Sequence, residues 1–262
     1  MYRNSYNGKG RRPRYKNSIS RTSYVDRSSV TGLKLARAAV FVLMIALIVG
    51  MIIVGSAMFK NDAPERQSAK VENAAQSDER ELLRVVNKTH PLDKDYVPAL
   101  AEVGGVFVNK LAEEPLKLLL EDAQRNGVKL GAESGYISYG DQNKLYKKAL
   151  KYYMENENLS EVKAQAKCEA VIPQAGRSEA QTGLLISFKT DKGEFKGSKA
   201  ERWLSENCVD FGFVKRYASD KENVTSMKEN PMAYRYVGVQ TAEIMRSLNK
   251  SLDEYSVYIN SR

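Results

Sequence analysis

Residues 38–59 read AAVFVLMIALIVGMIIVGSAMF, an apolar run without a charge. At 1.5 Å per residue such a helix is about 33 Å long, enough to cross a hydrocarbon core of about 30 Å. The pattern predicts one transmembrane helix. Gly55-Ser56-Ala57 resembles a cleavage site, but the run and the leader before it are both too long for a signal peptide, so an uncleaved signal-anchor is expected. Further on, the period becomes that of a folded domain. Positions 115–126 gather Leu116, Leu119, Leu120 and Ala123 on one helical face before Gly127, and 141–154 would set Leu145, Ala149 and Tyr152 or Tyr153 inward. Ser198-Lys-Ala-Glu201 reads as a capping box opening a helix through Trp203 and Leu204 that ends near Gly212. Strand-like runs occupy 184–188, 213–217 and 234–239, and a last helix is predicted over 241–255. Helices and strands do not alternate regularly, which predicts an α+β fold with a small antiparallel sheet and flanking helices, preceded by the membrane helix.

Charge sharpens this division. The net charge of +9 lies entirely in residues 1–59, which hold ten Lys or Arg and one Asp. The remaining 203 residues carry 31 basic and 31 acidic side chains, so the folded part offers no footprint for a nucleic-acid backbone. With the basic residues wholly ahead of the apolar run, the amino terminus is expected in the cytoplasm and the bulk outside a cell membrane crossed once. The expected organisation is a basic disordered tail over 1–37, the membrane helix over 38–59, a polar linker over 60–88 and an extracytoplasmic domain over 89–262. The basic tail serves as a topology signal or an attractor of anionic lipid. Ala46 and Gly50 form one small-xxx-small pair in the membrane run.

Six segments then occur in a fixed order. They are PL and YVP (91–92, 96–98), SGYISY with Gln142 (134–142), SEAQTGL (178–184), WL with Asn207 (203–207), GFVKRY (212–217) and NPMAYRYVG (230–238). In this order they resemble VanY-type D-alanyl-D-alanine carboxypeptidases, over nearly all of 89–262. The resemblance implies a small α+β domain, a catalytic zinc, and removal of the terminal D-alanine of peptidoglycan stem peptides outside the membrane. It also implies which positions carry the chemistry, and the chain departs there. Where such enzymes place a zinc-ligating His, Asp and His, this sequence has Ala180, Ser187 and Ala233. The position of the general-base Glu holds Asn230, and that of a substrate-contacting Arg holds Ile137.

A catalytic zinc takes three protein ligands from imidazole, carboxylate and thiolate, leaving one position for water. Methyl groups have no lone pair, a neutral hydroxyl is a poor ligand, and an amide takes no proton at neutral pH. No catalytic residue and no bound zinc are therefore expected. The one histidine, His90, has no partner for a metal site, and Glu179 and Glu229, beside lost positions, are not ready substitutes. Cys168 and Cys208 are either a disulfide closing a loop of about 40 residues or two buried thiols.

What the resemblance leaves is a groove. Tyr136, Ser138, Gln142, Ser178 and Arg235 are the candidate substrate-binding residues, with Ser178 foremost because in such enzymes the matching Ser helps hold the terminal carboxylate. Tyr139, Thr182, Gly183, Arg216, Tyr217 and Tyr236 also persist, and all of these equally serve turns, packing and buried hydrogen bonds. The reading is a membrane-anchored envelope pseudoenzyme that binds peptidoglycan stem peptides or an envelope protein without hydrolysis. Two alternatives stay open: an active carboxypeptidase with a non-standard site, and a purely structural component of an envelope assembly.

Overall fold

In a computed structural model of the chain, residues 75–261 are described. The proposed basic tail and membrane run lie outside them, and among the described residues no helix is long and apolar enough to cross a membrane. Residues 75–82 are helical. Strands β1 (Leu100–Val103) and β2 (Val106–Asn109) form a hairpin around Gly104-Gly105, followed by α1 (Glu113–Arg125), β3 (Leu130–Ser134), α2 (Tyr139–Glu155) and α3 (Glu161–Glu169). Next come β4 (Leu185–Thr190), α4 (Lys199–Asn207), β5 (Phe213–Tyr217), β6 (Asn230–Tyr236), α5 (Val239–Ser247) and α6 (Leu252–Asn260). β3 to β6 make one antiparallel sheet in the order β3-β4-β6-β5, so the α+β expectation holds.

The two faces of that sheet do different work. Because side chains alternate along a strand, Ile186 and Phe188 of β4 and Tyr234 of β6 point to one side, where they are fully buried against Leu116 and Leu119 of α1, Leu204 of α4 and Met245 of α5. Phe188 stacks edge-on against Phe213 and Tyr234, with ring centroids 6.3 and 5.7 Å apart. Leu185 and Ser187 of β4 and Ala233 and Arg235 of β6 point to the other side, where Ser187 pairs with Ala233 and Leu185 with Arg235. That second face carries the candidate site.

Several elements differ from the sequence pattern, each for a local reason. The helix expected over 241–255 is two helices, because Asn249 turns left-handed (φ 50°) and Ser251 opens α6 with a capping box to Glu254. In α2 the buried side chains are Gln142 and Tyr146, one turn apart, whereas Leu145 and Tyr152 are 42 % and 53 % exposed. β6 begins at Asn230 rather than 234. The packed body also begins before residue 89: Val86 is buried, and Leu83 and Val85 pack against the core.

Gly183 joins the hairpin to the sheet. It has φ +66°, its carbonyl accepts from the Asn109 amide at 2.8 Å, and a Cβ there would meet that amide nitrogen at 2.6 Å. Gly183→Ala combines a left-handed penalty of about 1–2 kcal/mol with a backbone collision, and is expected to cost about 2–3 kcal/mol in all. A urea midpoint lowered at constant slope checks this; an unchanged midpoint would show that the hairpin shifts freely.

Candidate functional site

A cleft of about 430 Å³ opens on the second face of the sheet, floored by Leu185 and Ser187 of β4 and by β6 from Asn230 to Ala233. One wall comes from Gly135 and Ile137 after β3 with Gln142 and Leu145 of α2, and another from Val171, Ile172 and Pro173 after α3. Ser178 and Ala180 close one end and Tyr217 with Met227 another. The five positions that the resemblance singles out, Ile137, Ala180, Ser187, Asn230 and Ala233, therefore meet in one cleft, although 96 residues separate the first from the last. The geometry follows from local structure. Ala180 sits on a 3₁₀ turn (Glu179–Thr182) whose carbonyl at Ala180 accepts the Ile137 amide at 3.1 Å, and the Ser187–Ala233 pair is a direct cross-strand neighbour.

The cleft has no unpaired charge: its lining includes Lys228, which donates to Glu222 at 2.7 Å, and Glu229. Two methyls and one hydroxyl at Ala180, Ala233 and Ser187 do not fit a zinc ion, which needs imidazole, carboxylate or thiolate donors. Among the described residues no three His, Cys, Asp or Glu side chains come together as a metal site. Asn230 uses its Oδ1 to accept the Met232 amide at 3.1 Å. Glu229 lies at the rim, where a 2.6 Å bond from Lys196 holds its carboxyl below the usual range, making it a weaker base still. Most of the remaining lining is apolar: Leu145, Val171, Ile172, Met227, Pro231 and Met232.

Of the candidate binding residues, Gln142 and Ser178 line the cleft. Gln142 Nε2 donates to the Pro173 carbonyl at 2.6 Å, while Ser178, buried as a residue, makes no side-chain cap hydrogen bond to the turn it precedes. Tyr136, Ser138 and Arg235 are not part of the lining. Tyr136 follows Gly135 with its amide on the Phe107 carbonyl at 2.6 Å, and burial with the Asp141 charge raises its phenol pKa. Ser138 caps α2: its Oγ accepts from the Asp141 amide at 3.1 Å and donates to the Asp141 carboxylate at 2.7 Å. Arg235 shares the cleft face of β6 but lies beyond Ala233, wholly buried.

Arg235 belongs instead to a charge cluster that sequence reasoning missed. Glu179 is fully buried, receives Arg216 in a two-pronged pair at 2.7 and 2.8 Å, and has Arg235 Nη1 at 3.5 Å. Burial alone would raise the Glu179 pKa, but the two guanidinium charges prevail and hold it below its ordinary value. Arg216 Nη1 lies 2.7 Å from Asp253 Oδ2, an ion contact without hydrogen-bond alignment. Arg235 Nη1 also donates to Thr182 Oγ1 at 3.0 Å, and its Nη2 reaches the carbonyls of Glu81, Leu82 and Arg84 at 3.1 to 3.3 Å. Three acceptors supplied by the segment before residue 89 thus complete a buried arginine. The signal in sequence was faint: a Glu and two Arg, each on an otherwise ordinary strand or turn.

Cys168 and Cys208 are both buried and free, so the disulfide alternative is not realised. Burial raises both thiols, Cys208 to about 12, which leaves neither as a thiolate nucleophile at neutral pH. His90 is exposed, its ring beside Asn87 and Thr89.

Comparison with known proteins agrees with this architecture. Residues 106–239 match the family described as D-alanyl-D-alanine carboxypeptidase (VanY). The D-alanyl-D-alanine carboxypeptidase of Enterococcus faecalis is 31 % identical over 69 % of this chain and 68 % of its own, and the putative carboxypeptidase YodJ of Bacillus subtilis is 28 % identical over 66 % of each. The chain thus spans about two thirds of the length of these two relatives. Among solved structures, VanYB in complex with D-alanine-D-alanine superposes with a TM-score of 0.62 at 29 % identity, covering 66 % of this chain and 96 % of that one.

Proposed function

The chain belongs to the VanY family of D-alanyl-D-alanine carboxypeptidases, and on that premise we propose that it is a non-hydrolytic member, a pseudoenzyme that binds peptidoglycan stem peptides in the cleft. The observation that carries this reading is the convergence of Ile137, Ala180, Ser187, Asn230 and Ala233 on one open cleft. Hydrolysis needs a nucleophile, a base and a group to hold the developing oxyanion. At these positions the chain supplies an amide, a hydroxyl and hydrocarbon. The cavity itself persists, with the Ser178 hydroxyl at one end and an apolar wall suited to the methyl groups of alanine.

The proposal extends to placement in the cell. The uncharged run at 38–59 anchors the protein in the cell membrane, its amino terminus inside, and the domain works outside where peptidoglycan is found. Capture of an envelope protein in place of a stem peptide is the second occupant to consider.

Binding is expected in the micromolar range for a stem pentapeptide, with a three- to tenfold weaker Kd in Ser178→Ala, the loss of about one hydrogen bond. Isothermal titration calorimetry checks this. No heat with wild-type protein at millimolar peptide would overturn the stem-peptide reading, and D-alanine release abolished by a chelator would overturn the loss of activity.

A further inference from the structure

Pro173, Tyr217 and Met227 wall two cavities at once. On one side lies the cleft; on the other is a hollow of about 520 Å³ between the segment 86–89, the end of α3 and the turn at 224–226. The hollow holds cations outside hydrogen-bond range of any carboxylate, whereas Lys228 of the cleft is bonded to Glu222 at 2.7 Å. Lys88 and Arg177 flank Glu169 there, each 3.8 Å from a carboxylate oxygen, beyond hydrogen-bond range. One of those oxygens already accepts from Gln174 Nε2 at 2.7 Å. The Lys88 side chain is 75 % exposed and that of Arg177 33 %, and neither donates a side-chain hydrogen bond among the described residues. Arg216 at the floor is neutralised by Glu179 and Asp253. Two cations with unspent donors therefore face one anion.

We propose that this hollow is a second binding compartment, taking a carboxylate carried in the body of the peptide whose carboxy-terminal end lies in the cleft. The inference rests on the stem-peptide reading of the cleft. The one cation lining the cleft, Lys228, is already bonded to Glu222 at 2.7 Å, and an anion moved out of water without a counter-charge of its own is strongly disfavoured. Arg177, across the shared wall, presents a planar fork matched to a carboxylate, and Lys88 adds a mobile charge on a long stem. Charge recognition is thereby separated from the pocket that holds the terminal residues. Glu169 turns both cations toward the hollow without saturating either.

The test uses two synthetic peptides and calorimetric titration of the full protein. One is L-Ala-γ-D-Glu-L-Lys-D-Ala-D-Ala; the other has the glutamate α-carboxyl amidated. The free carboxyl is expected to bind about five- to tenfold more tightly, and that preference is expected to fall below about twofold in Arg177→Gln. Lys88→Gln, at an exposed side chain, gives the same readout should Arg177→Gln disturb its loop. Equal micromolar binding of both peptides would overturn the second compartment and leave stem-peptide binding intact. Failure of both peptides to bind would overturn the two readings together.

Discussion

Glu179→Ala is expected to lower the stability of the domain by about 3–5 kcal/mol, the cost typical of removing one partner from a buried ion cluster. For a domain of this size that is about 10 °C in melting temperature. The carboxylate is fully buried between two guanidinium groups, which have few other places to put their charge. Arginine does not deprotonate in a protein, so loss of the Glu179 carboxylate leaves Arg216 with Asp253 alone and the buried Arg235 with only neutral acceptors. The same residue predicts an acid response. Its folded-state pKa is lower than that of the unfolded chain, so its contribution is complete above the ordinary value near 4.5 and drains away as pH falls through the lower folded-state value. Wild-type stability is expected to fall on acidification in that window, with a flatter profile for Glu179→Gln. Urea unfolding from pH 3 to pH 7 measures both; parallel profiles for the two proteins would show that Glu179 titrates as it does in the unfolded chain.

The second large effect concerns metal. Ser187 and Ala233 are paired across β4 and β6, and Ala180 reaches the same cleft from the turn ahead of β4. Ala180→His, Ser187→Asp and Ala233→His together place two imidazoles and a carboxylate where three tetrahedral ligands are needed, with a position left for water. The wild-type protein, exposed to excess zinc and desalted, is expected to keep less than about 0.1 ion per chain, and the triple variant about one. Elemental analysis decides it. About one zinc in the wild-type protein would mean that other ligands exist and would reopen hydrolysis as the function. A zinc-bound triple variant would then be given Asn230→Glu to ask whether D-alanine release returns.

Sequence patterning located the helices with one buried face, because Leu116, Leu119 and Ala123 repeat at helical spacing around a real core. It found α2 but not its inward face, where the cleft reverses the usual rule: Leu145 is left exposed at a cavity while Gln142 turns inward to the Pro173 carbonyl. It missed β1, β2 and β3 because four- and five-residue strands carry too little alternation to stand out, and it missed α3 because Glu161–Glu169 has only Ala164 and Cys168 to bury. The cleft was legible only through motifs. Periodicity places no two of Ile137, Ala180, Ser187, Asn230 and Ala233 together, whereas a family pattern names all five. The motifs alone did not separate two roles at Ser138 and Arg235, since a residue retained at a family position is as readily kept to cap a helix or neutralise a buried acid as to touch a ligand.

Arg235 sits on an inner strand, between β4 and β5, and takes three carbonyls from residues 81 to 84. The segment 81–84 is therefore a fastening. A pull on the chain ahead of residue 81 is borne first by the middle of the sheet, where several hydrogen bonds must break together, and the hairpin at 100–109 is shielded from the load.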